Sequence, residues 1–390
     1  MILKPASLYW VMRVFFAAFI ILAIIMALAM LGIGWHFSNL MLVPRPYSLE
    51  PEFEILAVTE SSVTLPVANN PGQFADTRKS GVYNLLWEGG YGRLGATVAD
   101  HGDRIVREFE VTGGEPPVAG TRARLDVAVY RRDPLSDHNL VFDDLKLAGP
   151  AGELRAWWVE GERDTAVLLL HGRRRSTLAE TLRVLPALAE ERLPVLALAY
   201  RNHDRSDMSP DGFYHYGASE WQDALTGLTF LRERGVERVV IFAYSMGAQV
   251  ALELLKQLRA SGDDRVKALI LDSPMLDVRT VVRQGARNIG VPYADRLSDW
   301  ALWVAGLRSG VDFGALDQVR SAPELDLPLL LIHGTADSTV PVGLSDEFAG
   351  RVTGPLEYRR LPEVDHVEAW NRHPDAYQRW VRSFLQEHVP

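Results

Sequence analysis

Three regimes of hydrophobic patterning succeed one another along the chain. Val14–Trp35 (VFFAAFIILAIIMALAMLGIGW) is an unbroken apolar run whose only hydrogen-bonding side chain is the terminal indole. From residue 52 to 135 the pattern shortens to EFEILAVTESSVTLP, GVYNLLWEGGYGRLGATVAD, DRIVREFEVT and ARLDVAVYR, separated by Gly, Pro, Asn and Asp clusters, which predicts a set of strands. After residue 136 comes a hairpin pattern, VFDDLKLAG and ELRAWWVEG around Pro150-Ala151-Gly152. Short apolar runs then follow: AVLLL (166–170), PVLALAY (194–200), VERVVIFAY (236–244), VKALILD (266–272), LPLLLIHG (327–334) and Leu356–Leu361. The first of these are apolar almost throughout, as strands buried on both faces require. Between them, Leu178, Leu182, Leu185 and Leu188, and then Trp221, Leu225, Leu228 and Leu231, recur at helical spacing. Strands alternating with helices specify a mostly parallel sheet with helices on both faces.

The first regime predicts a membrane anchor. As a helix, Val14–Trp35 would span about 33 Å at ~1.5 Å per residue, close to the hydrocarbon thickness of a bilayer. Tyr9, Trp10 and Trp35 lie near its ends, where amphipathic rings favour the interface. Ala27-Leu28-Ala29 could mimic a signal-peptide cleavage site, but the apolar run continues past it. Lys4 and Arg13 precede the span, while Arg45 follows among Glu50, Glu52 and Glu54. That asymmetry leaves the N-terminus in the cytoplasm and the bulk of the chain outside: a single-pass, extracytoplasmic arrangement. Pro44-Arg45-Pro46 and Pro51 read as a short stiff linker, so a chain starting near Tyr47 is expected to be soluble and to keep its activity.

The organisation expected is therefore an anchor over 1–45, a β-rich module over 46–135 and an α/β domain over 136–390. Of 390 residues, 47% are apolar and 23% charged, which supports a packed core. A net charge of −9 without a long basic run argues against nucleic acid as a partner. The absence of cysteine removes disulfides, thiol nucleophiles and thiolate metal sites. Gly90-Tyr91-Gly92-Arg93-Leu94-Gly95 matches the dinucleotide fingerprint formally, but no helix follows it, so it reads as a glycine-rich hairpin.

In a parallel sheet, ligands bind beyond the carboxyl ends of the strands. The polar residues at those ends are His171, Ser245, Asp272, Asp337 and, after the last strand, His366. Ser245 lies in VVIFAYSMGAQVALE, between a strand and a helix predicted from Gln249 onward, with small residues Ala243 and Gly247 two positions to either side. This suits a strained turn that lifts a hydroxyl clear of the sheet; it also suits an ordinary serine helix cap. A nucleophilic serine needs an imidazole base oriented by a carboxylate, and the chain offers His366 with Asp337, or with Asp272 as the rival. Asp365 is adjacent to His366 and points away from it. His171 and His333, each before a glycine, read as turn-stabilising, and Asp204 and Asp207 as partners of Arg201 and Arg205. No cluster has metal-ligand spacing, so no metal and no cofactor are expected.

The order Ser245, Asp337, His366 resembles that of the α/β-hydrolase superfamily, over roughly residues 140–390. AYSMG is similar to the nucleophile elbow, with Ala243 in place of the usual first glycine; LLLHG to the oxyanion strand; IHGTADSTVP to the acid segment; and VDHVEAW to the histidine loop. YRNHDRSD, the Ser-Pro-Asp-Gly stretch and HVEAWN further resemble membrane-anchored or secreted bacterial hydrolases. The resemblance implies Ser245 as nucleophile, His366 as base, Asp337 as acid, and the backbone N–H groups of Met246 and Arg173 as the oxyanion hole. Arg174, Arg175 and Tyr244 are the candidate substrate contacts, with Arg173–Arg175 offering guanidinium groups to an anionic substrate. Residues 275–325, with Trp300, Leu302 and Trp303, could form a small helical lid. The activity implied is hydrolysis of a carboxylic ester or thioester on a small-molecule or lipid acyl substrate. A serine peptidase of the same fold and a non-catalytic binding protein are the alternatives.

Overall fold

A computed structural model describes residues 5–45, 50–68, 75–173 and 178–389. Lys4, the side chain of Tyr9, Pro46, Tyr47, Arg174 and Arg175 lie outside the described residues. The apolar run lies within one long helix, α1 (Pro5–Leu42). The strands β1 (Phe53–Glu54), β2 (Ala57–Val58), β3 (Ser62–Pro66), β4 (Tyr83–Trp87), β5 (Gly90–Asp100), β6 (Arg104–Gly114) and β7 (Arg122–Asp126) form one antiparallel sheet in the order β1-β7-β4-β5-β6-β3-β2. Its own core gathers Val63, Leu65, Leu85, Leu94, Ile105 and Phe109. The glycine-rich segment at Gly90 is the start of the second strand of the β4–β5 hairpin.

The second sheet contains β8 (Asp143–Gly149), β9 (Gly152–Val159), β10 (Thr165–Leu170), β11 (Val195–Leu198), β12 (Arg238–Tyr244), β13 (Val266–Asp272), β14 (Leu329–Gly334) and β15 (Leu356–Leu361). Their order is β15-β14-β13-β12-β10-β11-β9-β8, parallel from β15 to β11, with the β8–β9 hairpin antiparallel at one edge. Alternate residues of each inner strand enter opposite cores. Leu168, Leu196, Ile241 and Leu269 face one layer; Leu169, Ala197, Phe242 and Ile270 face the other.

The helices are α2 (Pro134–His138), α3 (Leu178–Thr181), α4 (Leu185–Glu190), α5 (Trp221–Glu233), α6 (Met246–Ser261), α7 (Val278–Asn288), α8 (Ala294–Ser309), α9 (Gln318–Ser321), α10 (Val342–Ala349), α11 (Ala369–Arg372) and α12 (Pro374–His388). Residues of α5 and α6 fill the first core; residues of α4 and α12 fill the second. Of the leucines at 178–188, Leu178 falls in α3, Leu182 in the turn after it, and Leu185 and Leu188 in α4, because Pro186 suits the first turn of a new helix and not the interior of a long one. Segment 275–325 is an excursion pinned at its base: Asp277 bridges Asp317, and Gln318 N donates to Leu276 O at 2.6 Å.

The end of α1 is part of the α/β domain. Met41 and Leu42 are buried in its core. The last carbonyls of α1, which have no partner within the helix, are taken by that domain. Arg173 Nη2 donates to Leu40 O and Met41 O at 3.0 and 2.7 Å, Tyr216 Oη to Met41 O at 2.9 Å, and Tyr214 N to Leu42 O at 2.8 Å. The expectation that a chain starting near Tyr47 is soluble and keeps its activity therefore carries a cost in stability. Such a chain forfeits about 2 kcal/mol for each of the two core side chains and strips the acceptors from a half-buried guanidinium. A chain starting at Met30 keeps these contacts. In urea unfolding, the midpoint should fall clearly for the Tyr47 start and stay near the full-length value for the Met30 start; equal midpoints would show the helix end to be dispensable.

Candidate active site

The parallel strand order reverses direction at β10, which lies between β11 and β12, and ligands bind at such a switch point. Ser245 follows β12 and stands at φ 47°, ψ −114°, a conformation L-residues avoid. The backbone holds it there: Ser245 N donates to Asp272 O at 3.0 Å, and Met275 N to Ser245 O at 3.0 Å. Gly247 makes the turn possible, since a Cβ there would lie 2.5 Å from Leu170 O. Ala243 is accommodated as a fully buried strand residue opposite Leu170 and Leu271. The helix begins at Met246, three residues earlier than the pattern predicts, and Ser245 makes no side-chain cap to it.

The Ser245 hydroxyl instead meets His366: Oγ and Nε2 are 2.9 Å apart. The other ring nitrogen, Nδ1, lies 2.7 Å from Asp337 Oδ2. Asp337 is anchored in turn by the N–H groups of Thr339 and Val340, which donate to Oδ1 at 2.8 and 2.7 Å. His333 Nε2 approaches Oδ2 at 3.0 Å, and its Nδ1 lies 2.7 Å from Ser345 Oγ. Burial pushes the Asp337 carboxyl up, but the charge of His366 and the hydrogen bonds from His333 and His366 outweigh it and hold the group well below the usual carboxylate range. Burial likewise works against a charged His366, yet the charge and hydrogen bond of Asp337 raise its pKa above the ordinary histidine value.

The structure separates the rival acids. Asp272 is fully buried and accepts from Tyr377 Oη at 2.8 Å and Ser273 Oγ at 3.0 Å, not from the His366 ring. Asp365 accepts from Ser338 N and Ser338 Oγ and pairs with Lys79 at 3.2 Å. Met246 opens α6, so its N–H has no partner within the helix. Arg173 follows β10 across the switch point. Its guanidinium is occupied at the end of α1 and lies over the rings of Tyr214 and Tyr216, which corrects the expectation that this side chain is available to an anionic substrate. Tyr244 is corrected too. It is fully buried and stacked on Phe242, because the strand alternation turns it into the second core, away from any surface a substrate could reach.

Other pairings also differ from the sequence reading. Arg201 binds the buried Asp223 at 2.7 Å; Asp204 accepts from Leu178 N and Asp207 from Glu153 N, so both acids serve backbone donors. His171 is buried, stacked on Tyr200, with Nδ1 2.8 Å from Gly172 O. His333, expected only to stabilise a turn, touches the Asp337 carboxylate.

Two supports of the histidine loop escape sequence reasoning. Val367, beside His366, is held at φ 55° by its N–H to Ser273 Oγ (3.0 Å) and by Arg183 Nη1, which donates to Val367 O at 2.8 Å. The β-rich module supplies the second: Lys79 pairs with Glu368 at 2.9 Å, Tyr83 Oη donates to Glu368 Oε2 at 3.0 Å, and Asn371 Nδ2 donates to Val82 O at 2.8 Å. Only a local signal such as the charge of Lys79 was available from sequence, and it does not reveal a partner nearly three hundred residues away.

Comparison with known proteins agrees with this architecture. A family model described as alpha/beta hydrolase fold matches residues 165–316, and one for a domain of unknown function (DUF8805) matches residues 54–126. The uncharacterized protein YfhR of Escherichia coli O157:H7 is 25% identical over 270 residues, covering 67% of this chain and 84% of its own. YfhR of Salmonella typhimurium is 22% identical over 277 residues, covering 67% and 85%. Among solved structures, an esterase of Pyrococcus furiosus superposes with a TM-score of 0.54 at 22% identity, over 67% of this chain and 96% of that one. The mostly parallel eight-stranded sheet, the strained turn after β12 and the helices on both faces define an α/β-hydrolase fold. The chain has the α/β-hydrolase fold, which the family model matches over residues 165–316 and the Pyrococcus structure shares.

Proposed function

We propose that the protein is a serine hydrolase that cleaves a carboxylic ester or thioester through an acyl-enzyme, held to the membrane by α1. The observation that carries this reading is the unbroken chain of contacts from Ser245 Oγ through the His366 ring to Asp337. His366 Nε2 takes the hydroxyl proton as Ser245 Oγ attacks the carbonyl carbon. The N–H groups of Met246 and Arg173 receive the developing oxyanion. Collapse breaks the bond to the leaving alcohol or thiol, which departs with the proton from His366. Water then attacks the acyl-enzyme, His366 again accepting the proton, and the acid is released with Ser245 restored. Asp337 fixes the ring tautomer and offsets the imidazolium charge. The esterase name of the Pyrococcus structural neighbour is in keeping with an acyl ester substrate.

The membrane reading rests on α1. Within Met12–Leu42 the most apolar window has a mean hydropathy of 3.0 and is wholly unburied by the rest of the chain. Bare apolar surface of this length is stable in hydrocarbon and costly in water. The charge asymmetry favours an extracytoplasmic hydrolase domain.

The test is a fluorophosphonate probe on the full-length protein in detergent, followed by mapping of the modified residue and a panel of ester, thioester and peptide substrates. Labelling at Ser245 with ester or thioester turnover is expected. Turnover of peptides alone would assign a peptidase, and a folded protein that takes no label at Ser245 would assign a binding protein.

A further inference from the structure

Helix α8 runs alongside the anchor. Trp300 Nε1 donates to Met30 O at 2.8 Å, a Cβ on Gly34 would come within 2.7 Å of Val304 Cγ2, and Arg308 hydrogen-bonds Ser38 while lying 3.8 Å over the Trp35 ring. Each contact advances four residues on both helices, so the two are parallel and in step, α8 being offset by 270 positions from α1. The small residue at 34 is what lets them approach this closely.

A parallel register has a directional consequence. The anchor enters the bilayer from its C-terminal side, so the N-terminal end of α8, and with it the turn from α7, points the same way. That turn is apolar: Ile289-Gly290-Val291-Pro292-Tyr293. Ile289 is 66% exposed and Tyr293 81% exposed. Further back, Trp303 (52%) and Leu307 (69%) lie one turn apart on α8, Trp303 stacked on Trp300. By the offset, Trp303 is level with Ile33, beside the exposed Trp35 that closes the apolar run of α1. Indole rings gather where hydrocarbon gives way to headgroups. The acids near the tip, level with Ile25 and Ala29 by the same offset, are paired, Asp295 with Arg287 at 2.6 Å and Asp299 with Arg283 at 2.7 Å, which lowers the cost of carrying them below the interface.

We propose that the α7–α8 hairpin is a second membrane contact: its Ile289–Tyr293 tip enters the bilayer beside α1, with Trp303 at the interface. This rests on the reading of α1 as an anchor. It fixes the rotation of the hydrolase domain about the anchor, which a single span leaves free. It also sets the candidate site close to lipid, because Asn288 at the end of α7 hydrogen-bonds Ser338 O, next to Asp337.

The cysteine-free chain permits a direct test. Single substitutions Ile289→Cys, Tyr293→Cys and Trp303→Cys would carry an environment-sensitive fluorophore in phosphatidylcholine–phosphatidylglycerol vesicles. Val118→Cys, at an exposed position of the β-rich module, is the aqueous reference, and Phe19→Cys reports on the anchor. The tip positions are expected to emit to the blue of Val118→Cys and to be quenched by iodide about threefold less or weaker still. Tip positions quenched like Val118→Cys, with Phe19→Cys protected, would overturn the hairpin contact and leave the anchor standing. A Phe19→Cys label as open to iodide as the reference would overturn the anchor and the hairpin together. Protection that persists in detergent and grows with protein concentration would assign the tip to a second copy of the chain, against the proposal.

Discussion

Ser245→Ala is expected to abolish ester hydrolysis and fluorophosphonate labelling while leaving the melting temperature level or slightly raised. On the proposed mechanism Ser245 is the nucleophile, its hydroxyl 2.9 Å from the Nε2 of His366. A helix-capping serine would behave in the opposite way: its loss would cost about 0.5–2 kcal/mol and spare the activity. The backbone at φ 47° and the missing side-chain cap argue for the first outcome, because removing a polar group from a strained functional turn relieves a cost and forfeits only the hydrogen bond to His366. Urea unfolding and turnover measured on the same preparation separate the two. His366→Ala should label slowly for the related reason that a serine without its base is a weak nucleophile.

The sequence made the α/β domain legible because its signals are local. β15 matches the predicted Leu356–Leu361, β13 the predicted run at 266–272, and the inner strands alternate into two cores as fully buried strands must. The candidate site was legible for the same reason, each of its members ending a strand or standing in a short motif. What escaped was long-range. Nothing near Arg173 in sequence indicates that its guanidinium closes the end of α1, and nothing near Lys79 indicates a partner at Glu368. Tyr244 misled for a different reason. It stands next to Ser245 in sequence, but successive strand residues point to opposite faces, and this one points into the core. The β-rich module acquires a structural account only through contacts that cross to the histidine loop and α11.

Asp337→Asn is expected to lower kcat/KM by orders of magnitude, approaching ~10⁴-fold, with the fold retained. The amide keeps the shape but presents a donor or a weaker acceptor to His366 Nδ1, so the ring loses both its fixed tautomer and the charge opposite it. Asp272→Asn should act on stability more than on rate, since its carboxyl bonds Tyr377 and Ser273 within the core. The pH profile adds a second signature. His366 must be neutral to accept the proton, so activity rises as pH rises through its pKa. In the wild type that pKa is raised, because Asp337 overcomes the effect of burial, and the acid limb of kcat/KM should lie above the ordinary histidine value of about 6.5. Without the carboxylate, only the more distant charges of Glu180 and Asp272 oppose burial, and the limb should move to lower pH. The stability linkage has a definite sign for each partner. The Asp337 contribution is present above the unfolded carboxyl pKa of about 4 and is lost as pH falls through the depressed folded value; the His366 contribution is complete below about 6.5 and is lost as pH rises through its raised folded value. Profiles of kcat/KM between about pH 5 and 9 for wild type, Asp337→Asn and Asp272→Asn decide the assignment. A larger rate loss in Asp272→Asn, or an acid limb that does not move in Asp337→Asn, would take the acid role away from Asp337.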